Sequence, residues 1–303
     1  MASNEGPADL DLLVTEARGE PEDYDSRTTR ELVDLMNRGD AAVPGVVAGA
    51  ADALASLIDA TVERLGRGGR LIYAGAGSSG RIAALDAEEC EATFSTDPGQ
   101  VMAVVAGAQA ASASEREAAE DHAEAGHRAL SALGISADDV VVAVSASGRT
   151  PYALGALEAA RAAGALTACV VSVPGSPVAA LAAHEIRVVV GPEFVAGSTR
   201  LRAGTAQKLV LNTISTVSMI RLGKTLGDLM VDVRASNDKL KARARRVVSL
   251  ATGASAEEAE RALAACDGSA KVAILSLLAE IDADAARARL ETVKGDLGSA
   301  LRR

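Results

Sequence analysis

The chain has 303 residues, 49% of them hydrophobic, enough for one large domain or two modest ones. Its formal charge of -10 and isoelectric point near 5.0 leave no basic excess for releasing counterions from a phosphate backbone, so no nucleic-acid partner is expected. Three scattered cysteines, Cys90, Cys169 and Cys266, form no CxxC pair, so neither a disulfide framework nor a zinc site is expected, and a reducing cytoplasm fits.

Residues 1–26 are acidic, polar and Pro/Gly-containing, which predicts an extended N-terminal arm rather than a signal peptide. No window reaches about 18 uninterrupted apolar residues, so no membrane span is expected. Two helical patterns follow, "TTRELVDLMNRG" from Thr28 and a longer apolar-periodic run from Val43 to Leu65. Five short apolar runs come next: 70–77, 100–107, 139–148, 166–175 and 185–191. They are rich in β-branched residues, continuous rather than alternating, and separated mostly by helical segments. That pattern predicts parallel strands buried on both faces, in a doubly wound, flavodoxin-like α/β sheet. Aromatics make up 2% of the chain and Trp is absent, so Ala, Val, Leu and Ile must fill the interior. "AGTAQKLVLNTISTVSMIRLGK" reads as one long buried helix, and the Ala-, Arg- and Glu-rich remainder as a small helical domain at 236–303 after a main domain at 27–235.

In such a sheet a ligand sits beyond the carboxyl ends of the strands, where connections leave on opposite faces. The loops after the first and third strands are "GAGSSGR" (75–81) and "SASGRT" (145–150). Both combine glycines with hydroxyls and open a helix, a combination suited to an oxyanion. "GAGSSG" scans as G-x-G-x-x-G, but no acidic residue stands where a ribose partner would be needed, and no GK[ST] ending makes it a Walker loop. A phosphate on a small molecule fits better than a nucleotide. Two acidic clusters flank these loops: Asp86, Glu88, Glu89 and Glu91, then Glu115, Glu117, Glu120, Asp121 and Glu124. Spacing does not select the acid that faces a ligand.

The pair "GAGSSGR" and "SASGRTPY", followed by "GSTRLRAGTAQKLVLN", resembles the sugar isomerase (SIS) fold family, and within it the N-acetylmuramic acid 6-phosphate etherases. "VTEAR", "LDAEECEATF", "AAEDHAEAG" and "LMVDVRASNDKL" extend the likeness from about Leu13 to the last helices. The resemblance implies a lyase that cleaves the D-lactyl ether of N-acetylmuramic acid 6-phosphate by elimination and rehydration, giving N-acetylglucosamine 6-phosphate and D-lactate. It carries the family's acid onto Glu89, as proton donor to the leaving lactate, and its second catalytic carboxylate onto Glu120. The phosphate is then expected against Ser78, Ser79, Ser145, Ser147 and Thr150, with the amides of Gly77, Gly80 and Gly148 in support. Arg81 and Arg149 are either phosphate ligands or braces of their loops. Glu193 is a candidate third carboxylate, and Lys208 is either a ligand contact or a plain packing or ion-pair residue. His122, His127 and His184 have no metal-ligand spacing, and neither metal nor organic cofactor is implied. A homodimer is expected, with the site near the subunit interface, as is a cytoplasmic role in amino-sugar catabolism and peptidoglycan recycling.

The likeness has departures. "ECEATFST" carries Glu91 and Ser95 where the etherases have a proline or small residue and a glycine, and "AGAQAA" (106–111) replaces a Gly-Gly-Glu-like turn. These positions bear on which sugar is accepted. An aldose/ketose sugar-phosphate isomerase on the same fold, or a non-catalytic sugar-phosphate sensor, would share the loops. Neither accounts for the "DAEEC" and "AAEDH" pair together with the helical tail.

Overall fold

The computed structural model describes residues 13–19, 23–232 and 238–302. Much of the expected N-terminal arm, and residues 233–237 of "LMVDVRASNDKL", lie outside the described residues. Thr28 caps helix α1 (Thr29–Asp40): its hydroxyl accepts the Glu31 amide, and the Glu31 carboxylate accepts the Thr28 amide at 2.8 Å. The single helix expected from Val43 to Leu65 is instead two, α2 (Val43–Ala48) and α3 (Ala51–Leu65). Glycine weakens a helix by about 1 kcal/mol relative to alanine, and α2, which contains Gly45, ends at Ala48 with Gly49 as its C-cap.

Strand β1 (Leu71–Gly75) leads into α4 (Gly77–Phe94), and β2 (Val101–Val105) into α5 (Ala113–Ala118) and α6 (Ala123–Ser131). Then come β3 (Val140–Val144), α7 (Pro151–Ala162), β4 (Leu166–Val171), α8 (Pro177–Leu181), β5 (His184–Arg187) and α9 (Arg202–Arg221). The sheet order is β2-β1-β3-β4-β5, the doubly wound order that the sequence predicts. Pairing is parallel, with Leu71 opposite Val140 and Val140 opposite Leu166. Every residue of β1 and β3 is buried, which explains their unbroken apolar runs.

Small residues let the covering helices approach closely. A β-carbon on Gly126 of α6 would lie 2.0 Å from the Tyr152 carbonyl oxygen, and one on Gly155 of α7 would lie 1.9 Å from that of Ala123. Only glycine at both positions permits this contact of backbone on backbone. It also shows why the fold manages with so few aromatic side chains: little space is left for them.

The fold divides into two compact units. One comprises the chain through Ala87 together with Met102–Ile214; the other joins Glu88–Val101 to the chain from Ser215 onward. The second unit contains a short hairpin, β6 (Thr225–Leu226) and β7 (Leu229–Met230), and helices α10 (Asp238–Thr252), α11 (Ala256–Ala265), α12 (Ala270–Ala279), α13 (Ala283–Glu291) and α14 (Leu297–Leu301). Buried Lys271 anchors it. Its ammonium donates to the Gly223 carbonyl at 3.2 Å, the Gly295 carbonyl at 2.8 Å and the Asp232 carboxylate at 2.6 Å. Burial pushes its pKa down, partly offset by Asp232. No single described helix is long and apolar enough to cross a membrane.

In the first unit, buried Asp139 ties the start of β3 to the start of β1. It accepts from the Arg70 amide at 2.9 Å, from the Arg70 guanidinium at 3.0 and 2.8 Å, and from the Ser136 amide at 2.8 Å. Burial alone would raise its pKa, but these donors outweigh it and hold the carboxyl below the usual aspartate value. Its contribution to stability is therefore present above about pH 4 and is lost as the pH falls through the depressed native value. Asp139→Asn leaves Arg70 without its charged partner and should cost about 3 kcal/mol in urea unfolding at pH 7, with a smaller difference from wild type at pH 3.

Candidate active site

A cleft of about 830 Å³ opens at the carboxyl ends of β1 and β3, where the strand order reverses. Its walls include Gly77, Ser78 and Ser79 from the first loop, Ser145, Ser147 and Thr150 from the second, and Glu120 from the crossover. The second loop is tied by its own hydroxyls. Ser145 Oγ shares a hydrogen bond with Thr150 Oγ1 at 2.8 Å and accepts the Gly148 amide at 3.0 Å, while Ser147 Oγ accepts the Arg149 amide at 3.3 Å. In the first loop Arg81 braces Ser78, donating to its hydroxyl at 3.0 Å. The opening amides of a helix have no intrahelical acceptor, and Ser78 and Ser79 stand in the first turn of α4 at the cleft wall.

Gly77 carries the decisive contact. Its φ is +54°, and a β-carbon there would lie 2.7 Å from Glu120 Oε1. The carboxylate thus rests against a bare α-carbon between the two hydroxyl loops. Among the described residues, no hydrogen bond or ion pair engages Glu120. Burial raises its pKa, and Asp121 and Glu117 add to the rise while the Arg81 charge opposes it. An unpaired carboxyl whose pKa is raised in this way suits acid/base work.

Other expected residues fall elsewhere. Gly80 and Gly148 do not line the cleft, and their amides are engaged: Gly80 donates to the Ala76 carbonyl at 2.9 Å, and Gly148 to Ser145. Glu193 is only 3% exposed and accepts the Arg202 and Ala203 amides, each at 2.9 Å, so it caps α9 instead of facing the cleft. Lys208 is exposed on α9 and does not line the cleft. On α4 the lining reaches Ala84, whereas Glu89 is exposed and does not line the cleft. Of the other acids, Asp86 accepts from buried Tyr73 at 2.9 Å and Glu115 caps α5. Among the described residues, no group of three His, Cys, Asp or Glu is arranged to hold a metal.

The cleft also contains Glu16, Arg116 and Thr199, which the sequence reading did not select. Glu16 lies within "VTEAR", so the motif was visible although its destination was not. A separate hollow of about 930 Å³ in the second unit has charged walls that pair with one another, Arg245 with Glu260 at 3.1 Å and Lys241 with Asp238 at 3.5 Å.

Comparison with known proteins agrees with the loops and the sheet. Residues 53–161 match the glucokinase regulatory protein N-terminal SIS domain, and residues 117–216 match the SIS domain. An N-acetylmuramic acid 6-phosphate etherase of Rubrobacter xylanophilus is 56% identical over 97% of this chain and 98% of its own. One of Streptomyces avermitilis is 55% identical over 97% of this chain and 95% of its own. The chain belongs to the N-acetylmuramic acid 6-phosphate etherase family. Among solved structures, a phosphoheptose isomerase from Francisella tularensis superposes with a TM-score of 0.50 at 18% identity, covering 64% of this chain and 100% of its own, a likeness of fold.

The charges around Glu120 set a test independent of turnover. Asp121 raises the Glu120 pKa, so Asp121→Asn should move its midpoint to lower pH, and Arg81→Gln should move it to higher pH. Carboxyl-carbon NMR of the wild type and both variants measures the two shifts.

Proposed function

We propose that this chain is an etherase that converts N-acetylmuramic acid 6-phosphate and water into N-acetylglucosamine 6-phosphate and D-lactate. The observation that carries the reading is the unpaired Glu120 carboxylate, held on Gly77 between two hydroxyl-rich loops, in a chain 55–56% identical to etherases over nearly its whole length. The phosphate binds Ser78, Ser79, Ser145, Ser147 and Thr150, with the opening amides of α4. The sugar then extends past Gly77 to Glu120.

In the opened sugar, the aldehyde acidifies the proton on the adjacent carbon. Glu120 takes that proton. The electron pair forms a carbon–carbon double bond as the neighbouring carbon–oxygen ether bond breaks, and the departing lactyl oxygen receives a proton from Glu89. Water then adds to the double bond at the carbon the lactyl group left, and the carbon beside the aldehyde is reprotonated. Two positioned carboxyls suffice, because the substrate's own carbonyl stabilises the carbanion.

Glu89 is exposed and does not line the cleft, which supports a homodimer in which one copy supplies Glu89 to the other's cleft. The protein works in the cytoplasm, in amino-sugar catabolism during peptidoglycan recycling; three buried free cysteines suit a reducing compartment.

Wild-type protein should release D-lactate from N-acetylmuramic acid 6-phosphate in a coupled lactate assay, and no release would refute the etherase reading. Glu120→Ala and Glu89→Ala should each lose a factor of about 100 to 10,000. If each site draws its two acids from different copies, unfolding and refolding the two variants together should restore about a quarter of wild-type activity. No recovery would assign both acids to one copy.

A further inference from the structure

Glu16 is a second cleft carboxylate without a donor among the described residues. It sits in the turn Leu13–Ala17, where the Glu16 and Ala17 amides donate to the Leu13 carbonyl at 2.9 and 3.0 Å. Leu13 and Thr15 are buried, and the Thr15 carbonyl accepts the Gly197 amide at 3.2 Å, which fastens the turn to the loop following β5. Tyr24 stacks on Phe194 of that loop with ring centroids 4.7 Å apart. Gly197 has φ +76°, and a β-carbon there would lie 2.6 Å from Glu16 Oε2. Glu16 therefore rests on a bare α-carbon, as Glu120 rests on Gly77. Its carboxylate faces the cleft with no protein donor among the described residues, so its acceptor oxygens are open to donors that a bound ligand brings.

We propose that Glu16 contacts the substrate, accepting hydrogen bonds from hydroxyl or amide N–H groups of the sugar whose phosphate the two loops hold. Like charge keeps the phosphate itself away from Glu16, so the residue reads the sugar end of the molecule. Thr199 also lines the cleft. The choice of ligand rests on the etherase reading, but binding can be measured without turnover.

Calorimetric titration of the full chain with N-acetylglucosamine 6-phosphate, and separately with inorganic phosphate, tests the assignment. Glu16→Ala should weaken the sugar phosphate about tenfold or more and leave inorganic phosphate within about twofold. Glu16→Gln keeps one acceptor oxygen and should recover part of the loss. The unfolding temperature of both variants should match wild type. Unchanged sugar-phosphate affinity overturns the proposal, as does failure of the wild type to bind the sugar phosphate. A parallel fall in both affinities together with the unfolding temperature also overturns it, because Glu16 would then merely hold the turn. Wild-type protein that binds the sugar phosphate but releases no lactate refutes the etherase reading and leaves the assignment of Glu16 standing.

Discussion

A carboxylate seated on a bare α-carbon is the contact on which the candidate site depends. At the end of β1 the backbone turns through a positive φ at Gly77, and the space a side chain would fill holds Glu120. An alanine there would meet two penalties at once, the left-handed backbone and the clash with Oε1. The same glycine brings the acid against the first turn of α4, between the two hydroxyl loops. The first hydroxyl loop and the cleft carboxylate thus share one structural requirement.

That arrangement needs a scaffold that yields little. The strand ends cannot shift far, because β1 and β3 are buried along their whole length and Asp139 fastens their opposite ends through a fully used carboxylate. Small residues on α6 and α7 remove the slack that larger side chains would introduce. A rigid sheet with short loops at its carboxyl edge holds two hydroxyl clusters in register.

Charge is distributed unevenly around this frame. The chain is strongly acidic overall, yet the cleft opposes Glu16, Glu117 and Glu120 with Arg81 and Arg116. Arg81 serves two purposes, since it braces the Ser78 hydroxyl and moderates the Glu120 pKa that burial and Asp121 raise. Acidic residues outside the cleft have ordinary structural work: Glu31, Glu115 and Glu258 cap helices, and Glu193 caps α9 from a buried position.

Local pattern was enough for the strands, the two hydroxyl loops and the long helix beginning near Ala203, because each is written in periodicity or in adjacent residues; the strand order followed from the fold class those strands implied. The family likeness selected Glu120 from a run of five acids, where spacing alone was silent. Three-dimensional packing decided the rest. Glu193 turned out to be a helix cap, Lys208 a surface residue, and the Gly80 and Gly148 amides internal donors, since hydrogen-bond partners depend on the path of the chain rather than on residue type. Glu16 entered the cleft by the same principle: it lies far from the loops in sequence, and the buried Leu13 and Thr15 with the Thr15 to Gly197 hydrogen bond fix the turn that carries it. The sequence by itself determined which chemistry is available. Only the tertiary structure decided which carboxylates keep a free face, because that depends on what the folded backbone leaves unoccupied.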